Sequence, residues 1–504
     1  MILGDAKSAG GATLDCLFRR AGVRHPDAIA LIDPPNRAAF TDGAPRKLTY
    51  AQADRLITAF SSRLRALGLP TDAVVALQLP NTVESVLALL GVLRAGMVAA
   101  PLPLLWHRQD AVESLRPIGA KAIVTCAHVG STAQAEIAMQ VAADLFPIRQ
   151  VCAFGENVPD GVVPLDDLFM SNAHNTSAVT RAANPPAHVA VVTFDVTAGG
   201  IVPVARNHAQ LIASGLGPYF EARLQQDAAL LSTIPLSSFA GMALTLLPWL
   251  LSGGTLASHH GFEADAFAEQ MRAQAFDAVV LSGSTAARIA AAGLLDKVKC
   301  VMALWRAPER LAAGGRWNHG AQLVDIASFG ELGLLAMRRD PNGVAALIPC
   351  GPISATRDAS DALPVIETAR SVGGTLLLRG PMVPTLAFPL GAEQGDGPHL
   401  APDANGFLDT GQPCRPMADG RALLISGPPP GIATVGGYRL RTGELDLLAD
   451  SLEATLAVLP QELTGQRLAG RAPEPAVVLR QLRERGVSPL IAGAFGRPSE
   501  SDAA

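Results

Sequence analysis

Lysine is scarce in this chain of 504 residues. Only Lys7, Lys47, Lys121, Lys297 and Lys299 occur, and none follows position 299. Arginine supplies most of the positive charge, yet no basic block forms and the formal net charge is −5, which excludes an obvious nucleic-acid partner. The six cysteines (Cys16, Cys126, Cys152, Cys300, Cys350 and Cys414) are dispersed, with no C-x-x-C pair. Neither a zinc site nor a disulfide framework is therefore expected, and a reducing cytoplasm is the expected compartment. There is no Gly-x-Ser-x-Gly elbow, His-Glu-x-x-His or paired-carboxylate motif. His259-His260 has no spaced partner, so no metal site is expected there. The opening MILGDAKSAGGATLDC lacks a basic start followed by an apolar core, so no secretory signal is expected. Residues 228–262 carry no Asp, Glu, Lys or Arg. A membrane span needs about 20 continuous apolar residues. Here Pro235, Pro248, Gly253 and Gly254 interrupt the run, which instead predicts a buried helix between two core strands.

What is present is apolar material: 49% hydrophobic and 17% charged residues, enough for large cores and contrary to disorder. LTYAQADRLITAFSSRLRALG (48–68) predicts a helix capped by Thr49 and closed by Gly68. AVVALQLP (73–80) predicts a buried strand, and NTVESVLALLGVLRAG (81–96) a helix capped by Asn81. Short β-rich runs at 121–126, 151–154, 190–194, 229–235, 255–258, 278–282 and 299–305 alternate with helical segments, the pattern of βαβ units and parallel sheets. From 340 to 426 the strands shorten and Pro and Gly increase, predicting a β-rich subdomain. GPPPG (427–431) combines a stiff proline run with flanking glycines and predicts a linker. The expected organisation is α/β: a large domain over 1–426 of parallel-rich sheets with helices, then a small, shortened α+β domain over 427–504 with a frayed tail from about Arg497.

The run from Leu48 to Pro103 resembles the opening block of acyl-CoA synthetases in order and spacing. PLSSFAGMALTLLPWLLSGGTLA (235–257), DIASFGELG (325–333), LLLRGPMV (376–383), GFLDTG (406–411) and Gly436-Gly437 resemble later segments of the same family, in the right order. The chain thus resembles a divergent member of the adenylate-forming acyl-CoA synthetase and AMP-dependent ligase superfamily. The resemblance implies an acid activated by ATP with Mg²⁺ and passed to coenzyme A or a carrier protein, with a small C-terminal domain that rotates between half-reactions.

Measured against that resemblance, the ATP-handling residues are depleted. The family's phosphate loop corresponds to TFDVTAGGIVPVARNH (193–208). Its lysine position falls on Val202 and a hydroxyl position on Asp195, whose carboxylate would repel triphosphate if it pointed inward. Thr197, Gly199 and Gly200 remain, and Arg206 is a candidate substitute cation. The alternative is an ordinary tight turn between strand and helix. The family's aromatic-Gly-x-Thr-Glu corresponds to Phe329, Gly330, Glu331, Leu332 and Gly333, so the metal carboxylate is lost at Gly333. Glu331, one place out of register, either compensates or is a solvated or capping carboxylate. Gln412 takes the ribose-binding Asp position, Gly427-Pro428 lacks the hinge arginine, and residues 300–504 contain no lysine for the C-terminal catalytic role. Ser238, Phe239, Gly241, Trp305 and Ser328 are the candidate acyl pocket. Trp305 either fills adenine or acyl space, or is a core Trp beside a surface Arg306.

Two readings follow. One is a non-catalytic member that binds an acyl or aryl carboxylate or its coenzyme A thioester, or partners an intact ligase or carrier protein. The other is an active carboxylic acid ligase with a rearranged site, using ATP, Mg²⁺ and coenzyme A. A homodimer is left open, and neither a membrane span nor nucleic-acid binding is expected.

Overall fold

The computed structural model describes residues 12–170, 185–311, 315–356, 364–461 and 465–496; the tail expected to fray from Arg497 and the opening residues 1–11 lie outside these. Two large sheets dominate, as the alternating strand and helix signals require. The seven-stranded sheet runs Val163–Pro164, Gln150–Phe154, Ala122–Cys126, Val74–Leu77, Val98–Pro101, Val189–Thr197, Gly200–Asn207, and is parallel until its last pair. The eight-stranded sheet runs Gly333–Arg338, Gln322–Phe329, Cys300–Trp305, Ala278–Ser282, Ala229–Ser232, Thr255–Ser258, Ile29–Ile32, Lys47–Thr49, with antiparallel pairs only at its two edges. A six-stranded antiparallel sheet spans Ile348–Pro349 to Ala422–Ile425, which is the β-rich stretch expected from 340 to 426. Two hairpins, Ile432–Val435 with Tyr438–Arg441 and Thr455–Gln461 with Gly465–Arg471, and the helices Thr442–Ser451 and Pro475–Glu484 complete the chain.

The helix Tyr50–Ala66 forms where the apolar spacing and Thr49 place it. Thr49 Oγ1 accepts the Gln52 N–H, the Gln52 side chain accepts the Thr49 N–H, and Phe60 and Leu64 face the core. The uncharged stretch 228–262 is a buried strand, helix and strand, with Trp249 fully enclosed. Met242–Leu246 widens into a π turn ahead of Pro248. No helix among the described residues is long and apolar enough to cross a membrane.

Asn81 is not the cap expected of it. The helix is Val83–Arg94 with Thr82 at its N-cap. The Asn81 side chain instead donates to the carbonyls of Ser232 (3.2 Å) and His259 (2.9 Å), tying the two large sheets together. His260 Nδ1 accepts the Asn81 N–H, and His259 is held by Gln270, so both histidines are used structurally. Beneath them, Asp33 caps the Val83 N–H, while Glu84 receives Arg37 through both of its terminal nitrogens, at 2.7 and 2.8 Å, and Arg46.

Candidate functional site

Ligands of open α/β sheets bind at the carboxyl ends of the strands. The ends of Ala229–Ser232, Ala278–Ser282, Cys300–Trp305 and Gln322–Phe329 converge in that way on a cavity of about 290 Å³. Its wall takes Trp106, Phe194 and Asp195 from the seven-stranded sheet, Ser238, Trp305, Arg306, Ser328, Gly330 and Glu331 from the eight-stranded one, and Gly437, Tyr438 and Arg439 from the terminal hairpin.

The turn before the π-containing helix sets one wall. Ser238 is extended at φ −145° and its Oγ accepts the Gly241 N–H at 3.1 Å, while Glu331 Oε2 accepts the Phe239 N–H at 2.7 Å. Together they satisfy helix-initial donors that would otherwise be orphaned. Gly241 is sterically required, because a Cβ there would lie 1.9 Å from the Pro235 carbonyl oxygen. Arg306 reaches in from the neighbouring strand end and donates to Ser238 Oγ at 2.8 Å.

Opposite stands a buried charge pair. Asp195 Oδ1 accepts from Arg439 Nη1 at 2.9 Å and from the Glu331 N–H at 3.3 Å. Gly330, at φ +58°, makes this approach feasible: a Cβ there would sit 2.3 Å from Asp195 Oδ1. Burial pushes the carboxyls of Asp195 and Glu331 upward, and Arg439 and the Phe239 N–H respectively oppose that rise. Asp195 does point inward.

The remaining expected site residues are elsewhere. Thr197, Gly199 and Gly200 form the tip of a hairpin, with Thr197 Oγ1 bonded to the Gly200 carbonyl. Residues 193–207 are two paired strands, so the tight turn expected between strand and helix lies between two strands instead. Their alternating apolar residues pack on both faces, and Val202 is buried opposite Asp195. Arg206 does not substitute for a loop lysine. It lies fully buried over the Phe239 ring, 3.7 Å from its centroid, and braces the backbone carbonyls of Glu331 and Leu332. Burial pulls its pKa down to about 9. Phe329 and Gly333 are core positions, and a Cβ at Gly333 would meet Leu378 at 3.0 Å. Gln412 holds the Gly427 carbonyl (2.6 Å) away from the cavity, its Oε1 buried without a partner. Glu331 is not solvated; it is the capping carboxylate. Arg306 is half-buried in the cavity wall, and it, Arg310 and Arg439 are the cavity cations that sequence reasoning missed. The sequence signals for Arg306 and Arg439 are proximity to Trp305 and to the Gly436-Gly437 pair.

The cavity carboxylates already have partners. Glu331 serves a helix N–H, Asp195 is matched by a guanidinium, and no group of three His, Cys, Asp or Glu side chains gathers among the described residues.

The terminal segment is held on the helix Arg108–Ile118 by Arg441, which grips both Glu113 oxygens at 2.6 and 2.8 Å, and by the Gln109 N–H on the Gly486 carbonyl. Burial, then Glu113 and Glu444, push the Asp110 carboxyl up to about 7. A carboxyl raised on folding stabilises the fold at low pH, and that contribution is lost as pH rises through about 7. We expect the Asp110 contribution to stability to fall by about 2 kcal/mol between pH 5 and 8.5, and Asp110→Asn to change the pH dependence of chemical denaturation by that amount. An unchanged slope in the variant would refute the assignment.

The AMP-binding enzyme family model matches residues 18–303. Among curated proteins, long-chain fatty acid transport protein 1 of Bos taurus is 26% identical over 259 residues, 51% of this chain and 38% of that protein. Glycine betaine reductase ATRR of Emericella nidulans is 27% identical over 191 residues, 37% of this chain and 14% of that one. The chain spans less than two fifths of the length of these relatives. Among solved structures, apo MbtA of Mycobacterium smegmatis superposes with a TM-score of 0.68 at 21% identity, covering 98% of this chain and 91% of that one. A double mutant of o-succinylbenzoate CoA synthetase from Bacillus subtilis gives 0.67 at 14%, covering 94% and 92%. At these identities the solved structures show the fold.

Proposed function

The chain belongs to the AMP-binding enzyme family, with the adenylate-forming fold, and from that premise we propose that it binds a carboxylate without performing conventional adenylation. The observation that carries this reading is Asp195, a buried carboxylate turned into the cavity where a triphosphate would require donors. A polyanion beside it would have to compete with Asp195 for Arg439, the guanidinium already paired with that carboxylate. A monocarboxylate asks for less. Arg306 has donors beyond the one given to Ser238, and the Ser328 residue lines the same cavity. Residues 427–504 act in this reading as the small domain, whose Arg439 matches Asp195.

Calorimetry on the full chain tests the proposal. Benzoate or hexanoate should bind, and ATP·Mg²⁺ should give no heat of binding up to millimolar concentration. ATP·Mg²⁺ binding in the micromolar to low-millimolar range, with pyrophosphate released on adding an acid, would overturn it and establish an active ligase with a rearranged site.

A further inference from the structure

We infer that Trp305 fixes the size of the acid this cavity accepts, restricting it to one ring or a short chain. The inference rests on the carboxylate-binding reading above and narrows its ligand class.

The indole is immobilised from two directions. One side of the ring lies against Gly283, where a Cβ would come within 2.3 Å of the indole Cε2. Its N–H donates to Asp325 Oδ1 at 2.8 Å, and Asp325, fully buried, is held by Arg339 through Nε (2.7 Å) and Nη2 (3.2 Å). An indole with a matched buried donor and a ring packed on backbone cannot rotate aside without leaving its N–H unpaired and Asp325 one donor short. It is therefore a wall and not a gate. Cavity size agrees: an apolar cavity of roughly 150 Å³ already holds benzene, so about 290 Å³ suits a compact acid. Trp106 and Phe194, 5.8 Å apart between ring centroids, supply further aromatic surface. Arg306 follows Trp305 directly and lines the same cavity, so the cation for the carboxylate and the aromatic wall come from adjacent residues.

The experiment is calorimetric titration of the full chain, Trp305→Ala and Gly283→Ala with benzoate, hexanoate and dodecanoate. In the unaltered protein benzoate and hexanoate should bind at least tenfold more tightly than dodecanoate. Trp305→Ala should reverse that order. Gly283→Ala, which presses the ring toward the cavity, should weaken benzoate at least threefold. Trp305→Phe is the fallback if the alanine variant does not fold, and it should narrow the gap between hexanoate and dodecanoate. Dodecanoate binding as tightly as benzoate in the unaltered protein, or an order of preference untouched by the position-305 variants, would overturn the inference while leaving carboxylate binding intact. Failure of every acid to bind both the unaltered protein and the position-305 variants would overturn the underlying reading instead.

Discussion

Asp195→Asn should bind adenosine monophosphate at least tenfold more tightly than the unaltered protein. The substitution keeps the side chain's shape and its acceptor for the Glu331 N–H, but removes the negative charge from the cavity wall. It also leaves Arg439 without its counter-charge. Two unit charges about 5 Å apart interact by roughly 3 kcal/mol at an effective dielectric of 20. Part of that is screened by water in the cavity, and the remainder exceeds the 1.4 kcal/mol that a tenfold change requires. Calorimetric titration with the nucleotide, beside a thermal melt to confirm folding, decides the matter. Equal affinities in the two proteins would mean that Asp195 is not what disfavours phosphate.

Glu84→Gln should destabilise the protein by about 3–5 kcal/mol, the usual consequence of breaking one side of a buried ion pair. Glu84 is 1% exposed and receives both Arg37 and Arg46. Its carboxyl is held below the ordinary range: burial alone would raise it, and the Arg37 hydrogen bonds and charge outweigh that. Without the carboxylate, Arg37 retains Asp33 alone as an anionic partner. Asp33 also caps the helix Val83–Arg94, so the damage should spread to Asn81 and the seam between the sheets. Urea denaturation measures the loss; a change below 1 kcal/mol would show that the network does not support the fold.

Much of the fold was legible because its signals are local. The strands Thr255–Ser258 and Ala278–Ser282 begin and end where their apolar runs do, and Thr49 caps its helix through neighbours three residues away. The candidate site was legible only in part. Ser238, Trp305, Ser328, Gly330 and Glu331 do meet in one cavity. Their partners, however, are distant in sequence: Arg439 lies 244 residues from Asp195, and Glu331 lies 92 from Phe239. No periodicity encodes such pairs. The hairpin at 193–207 was obscured by its small residues, which suit a loop as well as a two-residue turn. One of the two readings of Trp305 sets a surface Arg306 beside it, because arginine is usually exposed; a serine hydroxyl 68 positions away draws it inward.

The tryptophans have a practical consequence. There are four, Trp106, Trp249, Trp305 and Trp317. Trp106 and Trp305 border the cavity, whereas Trp249 is sealed in the core and Trp317 is bonded to the Ala321 carbonyl away from it. Two of the four indoles therefore border the cavity, and the other two lie away from it. Intrinsic fluorescence should report occupancy without any label, and the signal lost in Trp305→Phe should give the share contributed by the fixed wall itself.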